Sequence, residues 1–124
     1  MDAAIENALR TDRTIDITTT GRTSGEPRRI EIWFHRTPED RYFITGRPGR
    51  RAWYANLLAN PELTFHLKES AQADLPATAR VITDAAEKEA VLRSLPWIQG
   101  NADVSIPDWV AGAPLVEVRF HAQQ

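Results

Sequence analysis

Segments in which apolar and polar residues alternate recur along this chain, and they predict a fold made mainly of half-buried β-strands. The three clearest segments carry apolar residues at every second position: Ile30, Ile32 and Phe34; Leu63, Phe65 and Leu67; Val116, Val118 and Phe120. This period places such side chains on one face of a strand. A β-branched run over residues 14–20 and strand-like segments over 41–45 and 73–83 bring the expected number of strands to six. No strand–helix–strand unit repeats, so we expect an antiparallel sheet.

The predicted helices are short and lie between the strands. Capping residues or a proline mark their ends, and they cover residues 2–11, 51–59, 84–95 and 106–110. The turn-forming sequence Thr37-Pro38-Glu39-Asp40 predicts that the second and third strands pair as an antiparallel hairpin. A length of 124 residues suits one domain. We therefore predict a single domain, residues 1–124, that forms a small antiparallel barrel with helical caps.

Positive charge is concentrated in one part of the chain. Between residues 20 and 51, eight arginines stand against four acidic residues, so this stretch is net +4, whereas the whole chain is −2. Nucleic-acid binding usually needs a broad basic face and a high pI, and the sequence pI is about 5.9. A localised cationic stretch in such a chain favours a small anionic ligand and argues against nucleic acid as a partner.

The segment over residues 46–61 places part of this charge at the start of a predicted helix. The first N–H groups of a helix are unpaired and its dipole makes that end positive, so anions bind there. Arg47, Arg50 and Arg51 add fork-shaped donors suited to phosphate or carboxylate. The residues also allow a simpler interpretation, in which these arginines lie in a solvated loop and pair with neighbouring glutamates.

Several other kinds of site are not indicated. The chain has no cysteine, which excludes disulfides, thiolate catalysis and Cys-ligated zinc. His35, His66 and His121 show no metal-ligand spacing, so we expect surface histidines and no metal site. Ser24 lacks the surroundings of a hydrolase nucleophile elbow. The first residues do not resemble a signal peptide, and no apolar run reaches the ~18 residues of a membrane span. We therefore expect a cytoplasmic protein.

Four segments of the chain share a pattern with a known family. They are Thr18-Thr-Thr-Gly-Arg-Thr-Ser-Gly-Glu-Pro-Arg28, the strand end Trp33-Phe34, Tyr42-Phe-Ile-Thr-Gly46, and Trp53-Tyr-Ala-Asn-Leu-Leu-Ala-Asn-Pro61. Together they resemble the deazaflavin-dependent nitroreductase family. That family belongs to the split β-barrel flavin-binding proteins, which are related to pyridoxamine phosphate oxidase.

This resemblance implies a six-stranded antiparallel split β-barrel with short capping helices, usually a homodimer. It also implies an oxidoreductase that binds the 8-hydroxy-5-deazaflavin coenzyme F420, or alternatively FMN. Such an enzyme would transfer a hydride from the reduced ring to a quinone, an enone or a nitroaromatic. Carried over by position, the cofactor-binding residues would be Trp33 and Thr45 beside the ring, Arg47, Gly49, Arg50 and Arg51 at the phosphate and acidic tail, and Trp53 and Asn56 on the same wall. Tyr54 is the candidate proton donor.

Two other interpretations use the same residues. The chain could be a non-catalytic split-barrel protein that binds a flavin, a haem or another anionic ligand, or a structural dimer whose site has decayed. Trp33, on the polar side of its predicted strand, suits either ring contact or a dimer interface, where aromatic residues are enriched.

Overall fold

The computed structural model describes residues 2–121. Within this range the chain forms seven strands and four helices. In chain order they are α1 (Ala3–Thr11), β1 (Thr14–Thr20), β2 (Pro27–Trp33), β3 (His35–Arg36), β4 (Tyr42–Thr45), α2 (Ala52–Ala59), β5 (Glu62–Leu67), β6 (Ala73–Val81), α3 (Ala85–Ser94), α4 (Ile106–Gly112) and β7 (Leu115–Phe120). The expected mainly β architecture with short helices is confirmed.

All seven strands belong to one antiparallel sheet, in the order β2-β1-β5-β6-β7-β4-β3. The two edge strands, β2 and β3, are separated in the chain by Phe34 alone. Because neighbouring Cα atoms are about 3.8 Å apart, the two edges must come close together at this residue. The sheet therefore curls on itself into a half-barrel.

The prediction of six strands is wrong by one, and Phe34 is the reason. The sequence predicts one strand over residues 29–35, but Phe34 turns into the core, where it is 4% exposed and its ring centroid lies 5.2 Å from that of Phe65. Its N–H donates to the carbonyl oxygen of Arg13 at 3.0 Å. This turn ends β2 and begins β3. The predicted hairpin turn at residues 37–40 exists, but it joins β3 to β4, whereas β2 pairs with β1.

Apolar clusters lie on both faces of the sheet. On the inner face, residues of β1 and β5 pack against α1 and α2: Ile15, Ile17, Phe65, Leu9 and Leu57. On the other face, residues of β4 and β7 pack against α3, α4 and the segment between them: Phe43, Leu115, Leu92, Leu95 and Trp109. Strand β7 is consequently buried on both sides. The loop after β4 contacts the end of α4, since the N–H of Gly49 donates to the carbonyl oxygen of Gly112 at 3.1 Å.

The predicted helix starts are confirmed by their capping bonds. The side chain of Asp2 accepts a hydrogen bond from the N–H of Ala4 at 2.6 Å, and that of Asp84 accepts from Glu87 at 2.9 Å. Helix α4 is longer than the single predicted turn and continues to Gly112. Between residues 2 and 121, no helix has the length and apolar character needed to cross a membrane.

Candidate functional site

A cavity of about 210 Å³ opens where the closed edge of the barrel meets the α3–α4 pair. We call it the aromatic cavity, and its lining residues are Trp33, His35, Thr45, Gly46, Arg47, Trp97 and Trp109. The ring centroids of Trp97 and Trp109 lie 6.0 Å apart, and that of His35 lies 5.9 Å from Trp97. Such a wall of flat side chains suits a planar aromatic ligand.

The aromatic cavity continues into a second space. A neighbouring cavity of about 220 Å³ shares Arg47, Trp97 and Trp109 with it and extends to Asp103 and Asp108. Small-molecule sites commonly have volumes of about 300–1,000 Å³. The aromatic cavity alone is smaller than this range, so the two adjoining spaces together are what could receive a coenzyme ring and a substrate.

The polar groups of the aromatic cavity differ in their availability. The hydroxyl of Thr45 donates to the carbonyl oxygen of Pro114 at 2.6 Å and is therefore engaged. The guanidinium of Arg13 lies over the ring of Trp33, 5.2 Å from its centroid, and fixes this exposed tryptophan at the rim. Burial, together with the nearby positive charge of Arg13, lowers the pKa of His35 to about 4. The imidazole is thus neutral at pH 7, and the prediction of a surface histidine is wrong here.

A further cavity, of about 260 Å³, lies between the β1–β2 turn and the first turn of α2. We call it the arginine cavity, and the residues that shape it include Gly21, Arg22, Ser24, Arg28, Ala52 and Trp53. Neither Arg22 nor Arg28 pairs with a carboxylate of residues 2–121, in contrast to Arg29, which binds Asp16 at 3.0 Å. Two exposed arginines therefore border this cavity, and no carboxylate in the described part of the chain neutralises their charge.

The start of α2 adds to the positive character of the arginine cavity. Arg51 occupies the N-cap position and its side chain forms no capping bond, and the first turn contains no acidic residue. Asn56 fixes the turn against the helix, because its Oδ1 accepts from the N–H of Arg22 at 3.0 Å and its Nδ2 donates to Thr19 Oγ1 at 3.1 Å. The cavity thus combines helix N–H groups with two guanidinium groups, which is the donor set that binds phosphate.

The loop arginines predicted to hold the coenzyme do not converge on one point. Arg51 donates from Nη1 to the carbonyl oxygen of Arg50 at 3.0 Å and from Nη2 to that of Arg47 at 3.1 Å, so it braces its own loop. Arg47 borders the aromatic cavity, whereas Arg50 borders neither named cavity. Gly49 has a φ of +136°, and its N–H donates to Gly112 at 3.1 Å, which ties the loop to the end of α4. None of the three arginines pairs with a carboxylate in the part of the chain that the structure describes.

The remaining predicted residues divide between the two cavities and the core. Trp33 and Thr45 border the aromatic cavity, and Trp53 and Asn56 border the arginine cavity. Tyr54 borders neither. It packs against the inner core cluster, with its ring centroid 5.9 Å from that of Trp53, and burial raises the pKa of its hydroxyl. A partly buried tyrosine of raised pKa that borders neither cavity is poorly placed to donate a proton to a ligand in one of them.

The cavity residues that were not among the predicted site residues include five aromatic or cationic ones: Arg22, Arg28, His35, Trp97 and Trp109. A signal for Arg22 and Arg28 existed, because both lie in the cationic stretch and in the segment that carries the resemblance. No signal in the sequence could connect His35 with Trp97. They are 62 positions apart, and only the packing of the α3–α4 pair against the closed barrel edge brings their rings together.

His66 lies in a third polar arrangement, on the outer face of the sheet. It is 7% exposed, so the prediction of a surface histidine is wrong for it as well. Its Nε2 lies 2.7 Å from Thr18 Oγ1, and its Nδ1 lies 2.7 Å from Asp74 Oδ1. This is the order of groups in a hydrolase triad. However, β1 is flanked by β2 and β5, whose ladders engage its backbone N–H groups, so Thr18 has no backbone donors for an oxyanion. The arrangement links three strands.

Comparison with protein families gives one match. The model of a family described as F420H2-dependent quinone reductase matches residues 2–102. No protein with a curated description matches the chain by sequence.

Solved structures with the same fold include proteins that bind related cofactors. One is described as an F420 reductase: it is 18% identical, with a TM-score of 0.70, and the match covers 98% of this chain and 96% of that one. A FAD-binding protein from Mesorhizobium loti is 10% identical, with a TM-score of 0.70 and coverage of 98% and 91%. A structure described as a domain-swapped dimer is 20% identical, with a TM-score of 0.55 and coverage of 87% and 81%. At these identities the likeness concerns the fold.

Proposed function

The chain belongs to the F420H2-dependent quinone reductase family, and we propose that it transfers a hydride from reduced coenzyme F420 to a small quinone. Membership confirms the resemblance to deazaflavin-dependent enzymes, and the coenzyme predicted from that resemblance is the one in the family description. An oxidoreductase that uses a reduced deazaflavin is therefore supported. An enone or a nitroaromatic compound, the other substrates predicted from the sequence, would need the same hydride and the same space.

The observation that carries this proposal is the position of the aromatic cavity beside the arginine cavity. Strand β2 contributes Trp33 to the first and Ile30 to the second, and the Cα atoms of these two residues are about 10 Å apart at roughly 3.3 Å per residue. The loop from Thr45 to Ala52 runs between them. Coenzyme F420 has a flat ring at one end and, beyond a polyol linker, a phosphate and an acidic tail. Its two ends match the two cavities.

In this arrangement the arginine cavity holds the phosphate. Arg22 and Arg28 supply two guanidinium groups, and the uncapped first turn of α2 supplies backbone N–H donors. Arg47 and Arg50, which lie on the loop between the cavities, add positive charge from the solvent side along the path between ring and phosphate. Trp53 and Asn56 act mainly by keeping the β1–β2 turn against the helix, so that the donors keep their positions.

The aromatic cavity receives the ring and the substrate. The coenzyme supplies the hydride, and the protein supplies orientation, charge complement and exclusion of water. Trp33, Trp97 and Trp109 offer flat surfaces for the ring, and the hydroxyl of Thr45, already bonded to Pro114, limits how deep the ring can go. The adjoining space near Asp103 and Asp108 leaves room for a small acceptor.

The proposed function predicts binding of oxidised F420 and its turnover. Titration of the protein with oxidised F420, followed by coenzyme fluorescence anisotropy and tryptophan quenching, is expected to saturate at a one-to-one ratio. Reduced F420 and menadione are then expected to react much faster with the enzyme than without it. FMN in the same titration is the control for coenzyme choice.

Each outcome of that experiment has a meaning. Saturable F420 binding without turnover of menadione, an enone or a nitroaromatic would favour the non-catalytic binding protein. Binding of FMN in preference to F420 would indicate that the protein is a flavin enzyme and not a deazaflavin enzyme. If neither coenzyme binds, the proposed function is wrong and the structural-dimer interpretation gains support.

A homodimer belongs to the same proposal. Edge strand β2 is exposed over most of its length, and it carries Ile30 and Trp33, which are 38% and 45% exposed. An unpaired edge with exposed apolar side chains is a surface on which another chain can pair, and one solved structure of similar fold is described as a domain-swapped dimer. Light scattering coupled to size-exclusion chromatography is expected to give twice the chain mass of 14.0 kDa. A monomer mass at micromolar concentration would contradict the dimer and leave the coenzyme proposal untouched.

A further inference from the structure

His35 separates the aromatic cavity from another cavity on its other side. This outer cavity has a volume of about 200 Å³ and is bordered by Arg10, Asp12 and Arg13, at the junction of α1 and β1, as well as by His35 and Trp97. Its lining is charged and hydrophilic, whereas the aromatic cavity is enclosed by indole rings. A single imidazole thus borders both a polar space and the space in which the substrate is proposed to react.

The imidazole has no partner of its own among the described residues. Its ring centroid lies 5.9 Å from that of Trp97, with the two planes tilted by 35°. Neither ring nitrogen forms a hydrogen bond with a backbone or side-chain group of residues 2–121. His35 is partly exposed. Its ring nitrogens can therefore bind water or a ligand in either of the two cavities that it borders.

The charge state of His35 is set by its surroundings. Burial lowers its pKa to about 4, with a contribution from the positive charge of Arg13. The charged groups near it on the neighbouring elements are Arg10, Asp12, Arg13, Arg36 and Arg47. Four of these five are cations, which disfavour imidazolium. At pH 7 the ring is neutral, and it then carries one N–H donor and one nitrogen acceptor.

We propose that His35 relays a proton from water in the outer cavity to the quinone oxygen that becomes negative during reduction. One ring nitrogen gives its proton to that oxygen while the other takes a proton from water, so the ring changes tautomer and stays neutral. The quinone gains a hydride and this proton and is reduced to the hydroquinone. Reduced coenzyme would supply the hydride and would release its second hydrogen to solvent as a proton, which balances the proton taken from water. This inference rests on the proposed function.

The relay assigns to His35 the role that the sequence suggested for Tyr54. The two residues differ in access, since His35 borders both cavities and Tyr54 packs against the core. They also differ in chemistry, because a neutral imidazole can give and take a proton at once, whereas a phenol of raised pKa holds its proton. Proton transfer by a positioned group commonly contributes about 10²–10⁴-fold to a rate.

The test is a single-turnover measurement with bound reduced F420 and menadione. His35→Phe keeps an aromatic ring, and His35→Gln keeps polar atoms but cannot relay a proton. Both are expected to slow the reaction at least about 100-fold with little change in the affinity for F420. His121→Gln, at an exposed histidine outside both cavities, is the matched control and is expected to react at the parent rate. Added imidazole is expected to restore part of the rate in His35→Ala.

A second readout does not depend on the coenzyme. Menadione alone is expected to quench the cavity tryptophans, with an affinity several-fold lower in His35→Phe, because the imidazole N–H would donate to the quinone oxygen. If His35→Phe reduces menadione at the parent rate, the relay is overturned. If the parent protein neither binds nor oxidises reduced F420, the proposed function fails. The comparison of menadione affinity between the parent and His35→Phe then tests the role of His35 by itself. Equal affinities in the parent and His35→Phe would overturn the role of His35 as well.

Discussion

Replacing Arg22 and Arg28 together with alanine is expected to weaken the binding of oxidised F420 about 100-fold. A hydrogen bond to a charged group contributes about 1.5–3 kcal/mol. Both arginines are exposed, so the lower value applies to each. Two such losses amount to about 3 kcal/mol, and roughly 1.4 kcal/mol corresponds to a factor of ten in Kd. Anisotropy titration at fixed ionic strength measures this change, and melting temperature checks that the variant remains folded.

A second double variant distinguishes the arginine cavity from the loop. Arg47→Ala with Arg50→Ala removes the same net charge from the segment in which the sequence alone suggested the phosphate site. The Kd for oxidised F420 is expected to rise less than tenfold in this variant, because salt screens charges that lie on the solvent side. Arg93→Ala, at an exposed position of α3 outside the named cavities, is the control for the loss of a single positive charge. If the loop variant loses more affinity than Arg22→Ala with Arg28→Ala, the phosphate does not occupy the arginine cavity.

Replacing Glu117 with alanine is expected to destabilise the protein by about 2 kcal/mol. Glu117 is 7% exposed on β7, between β4 and β6. Its Oε2 accepts from Arg41 Nε at 2.9 Å, and its Oε1 accepts from Arg80 Nε at 3.1 Å. Removing one partner of a buried ion pair costs about 3–5 kcal/mol. The cost is smaller here because the Arg41 and Arg80 side chains are 43% and 31% exposed and can be hydrated.

Thermal and urea unfolding measure this effect. A loss of about 2 kcal/mol is expected to lower Tm by roughly 10 °C in a domain of this size. Glu89→Ala is the matched control, because Glu89 also pairs with an arginine, Arg93 at 3.0 Å, but on the exposed surface of α3. Exposed pairs contribute about 0–1 kcal/mol. Equal losses in the two variants would show that burial of Glu117 adds nothing to its pairing.

The stability supplied by Glu117 should also depend on pH. Burial alone would raise the pKa of this carboxyl, but the hydrogen bonds from Arg41 and Arg80 outweigh burial and hold the pKa below its ordinary value. A carboxyl whose pKa is depressed in the folded state contributes stability above its unfolded pKa, about 4.3, and loses it as pH falls through the folded pKa. The difference in stability between the parent and Glu117→Gln is therefore expected to be constant from about pH 6 to 8 and to shrink below about pH 4.

Local elements could be predicted from the sequence because local rules produce them. Asp2 and Asp84 cap helices through bonds to residues two and three positions away, and the period of two identified β5 and β7. The rule failed at Phe34, where the period continues but the ring enters the core and the strand ends. A period of two in the sequence does not show that one edge strand ends at Phe34 and that the opposite edge strand begins directly after it.

The candidate site was only partly predictable for the same reason. The resemblance identified the family and its coenzyme, and the cationic stretch contained Arg22 and Arg28 among its eight arginines. It could not show which arginines face a cavity and which, like Arg51, bind carbonyl groups of their own loop. That choice depends on where the β1–β2 turn meets α2, and Asn56 sets this contact through bonds to residues 34 and 37 positions away.

The amino-acid sequence by itself determined most of the strands and helices, because periodicity and caps act over a few residues. Its motifs carried the resemblance that identified the family and the coenzyme. Only the tertiary structure decided the closure of the sheet at Phe34, the meeting of His35 with Trp97, and the burial of His66 and Glu117. Each of these depends on side chains distant in the chain that compete for the same space in a close-packed interior. Which side chains occupy that space is determined only once the whole sheet has curled into the half-barrel.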